Sequence, residues 1–255
     1  MNPLPVDLST AILLVLTLAL VLYGVWEQRT HTARLRKIPA RIHVNGTRGK
    51  SSVTRLIHAG LLEGGVRSLG KTTGTLPRLL LPNGQETPVA RFGPANIHEQ
   101  LGVVRTASAL NAEALVIECM ALQPYLQWLS EYKYVQATHG VLTNVREDHL
   151  EVMGPDEASV GRALCGMVPR GAKLFTADTR QLGLIEEACK DRKTELVTVG
   201  EEAFAAVTDE EMAGFSYFEH RSNVALALKV CESLSVDRKT ALEGMCCLLY
   251  TSPSP

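Results

Sequence analysis

The chain has 255 residues, 45% of them hydrophobic, which is enough for one large domain, or one and a half, with a real core. Its 26 lysines and arginines nearly balance its 27 aspartates and glutamates, so no overall positive field attracts a polyanion, and we expect no nucleic-acid partner. The six cysteines form no C-x-x-C pair and no spacing typical of zinc ligands, which favours a reducing compartment without structural zinc.

An uncharged apolar stretch, residues 8 to 26, comes first along the chain. As a helix it would be about as long as a bilayer core is thick, which predicts a transmembrane helix, with a buried soluble helix as the alternative. Asp7 precedes the stretch, and Tyr23 and Trp26 stand near its end as interfacial anchors do, unlike a cleaved signal peptide. Four basic residues follow: Arg29, Arg34, Arg36 and Lys37. Because basic flanks favour the cytoplasmic side, we expect a single-pass cell-membrane protein with residues 1 to 7 outside and its main domain in the cytoplasm.

The rest of the chain divides into a connecting segment, a domain and a tail. Residues 27 to 37 are polar and basic and would form a juxtamembrane helix or linker, and the domain is predicted over residues 38 to 245. Its strands and helices alternate: strands over 40–44, 114–121, 172–176 and 195–199, a hairpin over 79–91, and helices over 155–167 and 181–192. Residues 246 to 255 break this pattern and look like a translated adapter scar, so we expect a native chain cut near Met245.

A glycine-rich turn, Asn45-Gly-Thr-Arg-Gly-Lys-Ser-Ser52, carries the clearest chemistry. In the phosphate-binding pattern G-x-x-x-x-G-K-[ST], backbone N–H groups surround phosphate oxygens, the lysine reaches the outer phosphates and the hydroxyl holds Mg²⁺. Gly49, Lys50 and Ser51 fill the last three positions, but Val44 stands where the first glycine belongs. The turn lies between a predicted strand and a predicted helix, whose N-terminus favours anions. The alternative is a plain turn with an exposed lysine.

Polar side chains also stand where two other predicted strands end. The apolar stretch 114–121 is predicted to form a strand that ends on one carboxylate, Glu118. A second stretch, 141–150, runs into four polar residues: Thr143, Asn144, Asp148 and His149. The carboxyl ends of parallel strands share one edge of a sheet, where α/β proteins bind ligands. A buried carboxylate needs a partner, and Mg²⁺ is a suitable one. Either cluster taken alone is more often a solvated strand end.

Two further clusters fit either a ligand site or ordinary local structure. Residues 70 to 74, Gly-Lys-Thr-Thr-Gly, would border a nucleotide or its metal, or form an ordinary turn. Asn223 stands in the polar first turn of an alanine-rich helix, where it would contact a ligand or simply solvate the helix start.

Four of these clusters occur in the order typical of one superfamily: Gly46-Thr-Arg-Gly-Lys-Ser-Ser52, Glu118, Thr143-Asn-Val-x-x-Asp-His149 and His220-x-x-Asn223. The chain resembles the Mur ligase and folylpolyglutamate synthase superfamily. This implies an α/β fold, with a P-loop central domain whose mainly parallel sheet is flanked by helices, behind the transmembrane helix. The membrane helix, the loop and Gly70-Lys-Thr-Thr-Gly-Thr75 are similar to the ligase subunits of poly-γ-glutamate synthases.

The resemblance implies ATP and Mg²⁺ as cofactors. The nucleotide would contact Asn45, Gly46, Thr47, Arg48, Gly49, Lys50, Ser51 and Ser52, with Asn223 beside the adenine. The catalytic residues would be Lys50, Glu118 and His149. The Mg²⁺ ligands would be Ser51, Glu118 and His149.

The implied reaction is ATP-dependent amide formation through an acyl phosphate, making γ-glutamyl bonds for a capsule or secreted polymer. Its partners would be glutamate, the growing poly-γ-glutamate chain and other membrane subunits. Two departures stand out: Arg162 and Leu164 occupy the region where many Mur ligases carry a carbamylated lysine, and the family's C-terminal ligase domain is not found, so we expect nucleotide binding without useful turnover. The alternatives are a Mur or folylpolyglutamate-type ligase with another substrate and a P-loop ATPase that energises a membrane partner.

Overall fold

The computed structural model describes residues 7–74, 76–89, 91, 93 and 95–247. Its strands are β1 (Ala40–Asn45), β2 (Ser68–Lys71), β3 (Arg78–Leu80), β4 (Glu86–Pro88), β5 (Ala114–Glu118), β6 (His139–Leu142), β7 (Lys173–Thr176) and β8 (Glu195–Thr198). Its α-helices are α1 (Leu8–Arg36), α2 (Lys50–Glu63), α3 (Glu99–Ala109), α4 (Pro124–Leu129), α5 (Leu150–Met153), α6 (Glu157–Leu164), α7 (Leu182–Arg192), α8 (Glu201–Ala205), α9 (Asp209–Ala213), α10 (Arg221–Ser233) and α11 (Arg238–Cys246). A π-helix spans Ser130–Val135 and a 3-10 helix spans Cys165–Met167.

The strands form one sheet in the order β4-β3-β2-β5-β1-β6-β7-β8. The pairs from β2 to β8 in this order are parallel, and β3 and β4 add an antiparallel hairpin at one edge, which confirms the predicted fold class and hairpin. Strand β1 lies at the centre between β5 and β6. The carboxyl ends of all three strands therefore meet where the glycine-rich turn begins.

Apolar side chains cover both faces of the sheet. On one face, α2, α10 and α11 pack over the central strands, and residues such as Leu56 and Leu226 are fully buried there. On the other face, α6 and α7 cover β6 and β7, while α3 and the end of α1 cover β2 and β5. These layers hold the central strands rigidly, so polar residues at the strand ends are presented on a fixed edge.

Helix α1 is continuous from the apolar stretch into the basic segment. Among the described residues, α1 is the one helix that is both long enough and apolar enough to cross a membrane. Its most apolar segment is not buried against the domain. Residues 27 to 36 are thus helix rather than an extended linker. Their end is docked: Leu35 is buried, and the His31 Nε2 atom lies 2.9 Å from the Tyr134 carbonyl oxygen.

The observed bounds of some elements can be compared with the predicted ones, and some predicted segments fall on residues that the structure does not describe. The helix predicted over 155–167 is divided into α6 and the 3-10 helix. Asp156 sets the start of α6, because its side chain accepts from the Ser159 N–H at 2.7 Å. The apolar stretch 114–121 forms a strand that ends at Glu118, as predicted. Residues 1–6, Thr75 and residues 248–255 lie outside the described residues. Most of the predicted outer segment, residues 1 to 7, and most of the predicted tail, residues 246 to 255, are therefore not described.

Candidate active site

The glycine-rich turn connects β1 to α2 and depends on two glycines with positive φ. Gly46 has φ +136°, and a Cβ there would lie 2.0 Å from the Thr143 Oγ1 atom. Gly49, the residue before α2, has φ +80°, and a Cβ there would lie 2.9 Å from Asn223 Oδ1. L-residues with side chains are strained in such conformations, so glycine permits both the turn and its close contacts. The turn leaves the first N–H groups of α2 available to an anion.

Asn144, just beyond β6, holds this turn in place from the neighbouring strand. Its Oδ1 atom accepts from the Thr47 hydroxyl at 2.6 Å and from the Arg48 N–H at 3.1 Å, and its Nδ2 group donates to the Arg48 carbonyl at 3.0 Å. The Thr143 hydroxyl donates to the same carbonyl at 2.6 Å. The sequence placed Thr143 and Asn144 at a strand end, but their role in fixing the turn needs the pairing of β1 with β6.

Lys50 is folded back over the turn. Its Nζ group donates to the Gly46 carbonyl at 2.7 Å and to the Thr47 carbonyl at 3.3 Å. A bound phosphate would offer the ammonium a charged acceptor in place of these neutral ones, and charge-assisted hydrogen bonds are the stronger kind. The lysine is thus already held against the turn, beside the first residues of α2.

Ser51 and Glu118 are brought together across the sheet. The Ser51 hydroxyl donates to Glu118 Oε2 at 2.8 Å, and the Thr73 N–H donates to the same oxygen at 2.7 Å. The residue Glu118 is buried, yet its Oε1 atom has no hydrogen bond to the described residues. A hydroxyl and a carboxylate are the oxygen ligands that Mg²⁺ prefers, so this pair fits such an ion.

His149 is placed differently from the other residues expected to bind the metal. It precedes α5 with φ +47°, its side chain is about half exposed, and its Nδ1 atom lies 3.3 Å from Glu151 Oε1. Among the described residues, no group of three or more His, Cys, Asp and Glu side chains could hold a metal. The structure therefore joins Ser51 to Glu118 and gives His149 its own acidic partner.

The remaining residues expected at the nucleotide lie on both sides of the turn. Asn223 is buried beside Gly49 and donates to Glu219 Oε1 at 2.8 Å. Ser52 is half-buried in the first turn of α2. Asn45 is buried, and its amide donates to Gln127 Oε1 at 2.8 Å, so its side chain supports the end of β1.

Arg48 and Asp148 form an exposed pair at the rim of the turn. The Arg48 guanidinium lies 3.5 Å from Asp148 Oδ1, and the Arg48 side chain is largely exposed. An exposed pair of this kind contributes little to stability, so Arg48 is free to change partner when an anion binds.

Sequence reasoning missed Asp178, which fixes the segment carrying His149. This buried carboxylate accepts from the Val145 N–H at 2.8 Å, from the Arg146 guanidinium at 3.1 Å and from the Gln181 N–H at 2.8 Å. The available signal was its position two residues after the predicted strand 172–176, the same arrangement that identified the other strand ends.

A buried cationic cluster adjoins Glu118 at the end of β2. The Lys71 Nζ atom lies 3.4 Å from Glu99 Oε2, and Arg91 binds the same carboxylate at 2.7 and 3.1 Å. Burial lowers the pKa of Lys71, while the charges of Glu99 and Glu118 act in the opposite direction. Two cations thus share the Glu99 carboxylate, and Lys71 is the one whose charge interacts with Glu118.

The region expected to hold a carbamylated lysine offers none. Leu164 is buried in the apolar core at the end of α6. Arg162 is exposed and donates to the Ser159 hydroxyl at 2.9 Å. Neither residue supplies a metal-binding group, which agrees with the departure seen in the sequence.

The model of the Mur ligase middle domain matches residues 44–245, most of the chain. The chain belongs to the Mur ligase family. The matched span begins inside β1 and includes the glycine-rich turn, Glu118, His149 and Asn223 of this Mur ligase middle domain, which confirms the resemblance drawn from the sequence.

Two curated relatives are similar over nearly the whole chain. The capsule biosynthesis protein CapB of Bacillus anthracis is 40% identical over 242 residues, which are 94% of this chain and 51% of the relative. The PGA synthase CapB of Bacillus subtilis (strain 168) is 36% identical over 247 residues, 95% of this chain and 61% of the relative. The chain therefore spans only about half to three-fifths of the length of these relatives.

Solved folate-enzyme structures share the fold. The G51S mutant of L. casei FPGS superposes with a TM-score of 0.65 at 13% identity, covering 88% of this chain and 67% of that one. E. coli FolC in complex with DHPP and ADP gives a TM-score of 0.57 at 16% identity, covering 87% and 60%. At these identities the likeness shows the fold alone.

Proposed function

We propose that this Mur ligase domain is the nucleotide-binding part of an ATP-dependent amide ligase that forms γ-glutamyl bonds in poly-γ-glutamate synthesis. The contact between Ser51 and the buried Glu118 carries the proposal, because it sets two hard oxygen ligands directly beside the turn that receives phosphates. The names of the two CapB relatives, a capsule biosynthesis protein and a PGA synthase, support the choice of polymer.

The chemistry follows from the need to activate a carboxylate. A carboxylate oxygen is a poor leaving group, so ATP transfers its γ-phosphoryl to the carboxylate, and an amine then displaces phosphate from the acyl phosphate. Lys50 and the N–H groups of the turn would hold the outer phosphates and offset charge on the transferring group. Ser51 and Glu118 would hold Mg²⁺, which when bound neutralises phosphate charge; His149 is a third candidate ligand that would have to leave Glu151.

We infer the acceptor substrate from its charge, and the location of the ligase from helix α1. Glutamate and a growing poly-γ-glutamate chain are anionic. Lys71 interacts electrostatically with Glu118, and Lys71 shares the Glu99 carboxylate with Arg91. Helix α1 would anchor the ligase as a single span, with the domain in the cytoplasm where ATP is available and where other membrane subunits would receive the polymer.

The test has two stages. Binding of a non-hydrolysable ATP analogue to this chain should require Lys50 and tolerate Lys239→Ala, which removes an exposed lysine on α11. Turnover is then measured in membranes carrying a chimera in which the B. subtilis relative supplies the length that this chain does not span. We expect ADP release that depends on glutamate, γ-glutamyl amide product, and loss of both in Glu118→Gln but not in Glu113→Gln, an exposed carboxylate.

The outcomes separate the rivals. ATP hydrolysis of equal rate with and without glutamate would refute the ligase and favour an ATPase that energises a partner. Amide formation that requires an acceptor other than glutamate or poly-γ-glutamate would favour a Mur or folylpolyglutamate-type ligase. Nucleotide binding that survives Lys50→Ala would refute the phosphate-binding role of Lys50.

A further inference from the structure

A cavity of about 1090 Å³ opens at the edge of the sheet opposite the glycine-rich turn. Its wall includes the first residues of β6, β7 and β8, namely His139, Lys173 and Glu195, together with Gln28 of α1. Strand β1 runs from this edge to the turn, so the cavity is separate from the nucleotide site. Nothing in the proposed ligase chemistry uses it.

The cavity lies at the depth of lipid headgroups if α1 spans a bilayer. The apolar stretch ends at Trp26, and at 1.5 Å per residue Gln28 is about 3 Å further along the helix. The headgroup layer on each side of the hydrocarbon core is roughly 5 to 7 Å thick. Within one more turn, His31 contacts Tyr134 of the domain. The domain surface around Gln28 therefore begins inside this layer.

Exposed aromatic rings extend from the cavity along α4 and the π-helix. Trp128 stacks on Tyr132 with ring centroids 4.9 Å apart, and Tyr125 lies 5.8 Å from Trp128. All three side chains are exposed, and Trp128 and Tyr132 line the same cavity as Gln28. We call Tyr125, Trp128 and Tyr132 the aromatic ridge. Tryptophan and tyrosine concentrate at membrane interfaces because one end of each ring is apolar and the other is polar.

The charges of the cavity favour an anion. It is lined by five cations, Arg41, Lys133, Arg170, Lys173 and Arg192, and by three acids, Glu131, Asp191 and Glu195. Glu131 is paired with His43 at 2.8 Å, and Glu195 lies 3.8 Å from Lys173. Neither Lys133 nor Arg170 has an acidic partner in the described part of the chain; Lys133 lies over the Tyr132 ring. A bound anion would supply the acidic partner that Lys133 and Arg170 lack among the described residues.

We propose that this cavity binds the headgroup of an anionic phospholipid from the membrane that α1 spans, and that the aromatic ridge lies in the same interface. The inference rests on the proposed membrane span and not on the ligase reaction. A polyanionic product chain has suitable charge, but Gln28 and the aromatic ridge connect the cavity directly to the bilayer surface, and the P-loop lies at the other edge. Clustered lysines and arginines beside a span attract anionic lipids through the same electrostatics.

The chain offers a direct reporter because it has two tryptophans, Trp26 and Trp128. In Trp26→Phe, Trp128 is the sole tryptophan, and in Trp128→Phe, Trp26 reports the span itself. Both variants of the full chain are placed in nanodiscs containing phospholipids brominated high on their acyl chains. We expect both tryptophans to be quenched by these lipids, and Trp128 to be shielded from iodide in the solvent.

Headgroup selectivity is measured with Trp26→Phe as background. Brominated phosphatidylglycerol should quench Trp128 more than the same fraction of brominated phosphatidylcholine. Lys133→Gln with Arg170→Gln should reduce this preference, by up to about fivefold per cation removed. Lys229→Gln with Lys239→Gln removes two exposed cations from α10 and α11 and should leave it unchanged.

Three results would overturn the inference, each for a different reason. Quenching of Trp26 but not Trp128 would leave the span intact and place the ridge in water. Quenching of neither would remove the span on which the inference rests, without touching the ligase proposal. Displacement of brominated phosphatidylglycerol by soluble poly-glutamate would assign the cavity to the polymer instead.

Discussion

The buried ion pair between His43 and Glu131 predicts a loss of stability above neutral pH. The His43 Nδ1 atom lies 2.8 Å from Glu131 Oε2, and neither side chain reaches solvent appreciably. Burial alone lowers the pKa of His43, but Glu131 and the nearby Cys119 favour the charged imidazole and raise the pKa of His43 to about 9. Since the unfolded pKa is about 6.5, the stabilisation is fully present below pH 6.5 and is lost as the pH rises through 9.

The magnitude follows from proton linkage. One proton of difference between folded and unfolded states changes the free energy of unfolding by about 1.4 kcal/mol per pH unit. Between pH 6.5 and about pH 8.5, partial titration at both limits leaves a fall of about 2 kcal/mol for His43. For a chain of this size this corresponds to a decrease of about 4 to 8 °C in Tm. Scanning fluorimetry of the detergent-solubilised chain measures it.

Two buried histidines and two buried cysteines titrate outside this window. Burial lowers the pKa of His58 to about 3 and that of His139 to about 4, so both reduce stability only as the pH falls below 6.5. Burial raises the pKa of Cys165 and Cys231 to about 12, so these thiols reduce stability only above about pH 9. The slope between pH 6.5 and about pH 8.5 therefore reports mainly His43.

Glu131→Gln separates this pair from the rest of the chain. It keeps an oxygen for the Ala137 N–H, which Glu131 Oε1 accepts at 2.8 Å, and removes the charge that favours protonated His43. The variant should lie furthest below wild type near pH 6.5 and approach it toward pH 8.5. Glu113→Gln, which alters an exposed pair with Arg67, should keep the wild-type slope. A Glu131→Gln slope equal to wild type would refute the reasoning.

Three shorter predictions concern the turn and the core. Gly46→Ala puts a Cβ 2.0 Å from Thr143 Oγ1 and should weaken binding of an ATP analogue about tenfold or more by calorimetry, whereas Gly183→Ala, with open space around the added carbon, should bind as wild type. Asn144→Ala removes three side-chain hydrogen bonds to the turn and should reduce the same affinity about tenfold while the Tm changes little; unchanged affinity would mean that other contacts hold the turn. Leu164→Lys buries an unpaired charge in the core and should lower the free energy of unfolding by about 3 to 5 kcal/mol, measured by denaturant unfolding. An unfolding midpoint equal to that of the wild type would show that residue 164 is not in the core.

The sequence predicts the glycine-rich turn because its chemistry is local. Gly46 and Gly49 are needed for conformations that other residues avoid, and the lysine and serine that follow are contiguous with them. Glu118 was predicted at a strand end from the apolar residues before it. Its contact with Ser51 required only that two strands be neighbours in a parallel sheet, which βα alternation favours.

Other parts of the site could not be predicted because they depend on register between distant segments. Asn144 reaches the turn across 96 residues of sequence, and His43 meets Glu131 across 88. The buried pairing of Lys71 with Glu99 needs β2 and α3 to adjoin, and α3 carried no signal that the sequence reading used. The sequence does not decide between helix and linker for residues 27 to 37, because the segment is mostly polar and basic and the burial of Leu35 depends on the domain that it packs against.

The polarity of the parallel sheet sets the distance between membrane and chemistry in the proposed ligase. Residues 37 to 39 join α1 to the amino end of β1, and Gln28 of α1 lines the cavity at the amino edge of the sheet, so this edge faces the bilayer if α1 spans it. Strand β1 has six residues, and at about 3.3 Å per residue it carries the chain about 20 Å before the glycine-rich turn begins. New γ-glutamyl bonds would therefore form well away from the headgroups, on the cytoplasmic side of the domain. In the proposed ligase, a polymer made there would have to cover this distance to reach the membrane, which is the step that the proposed membrane subunits would perform.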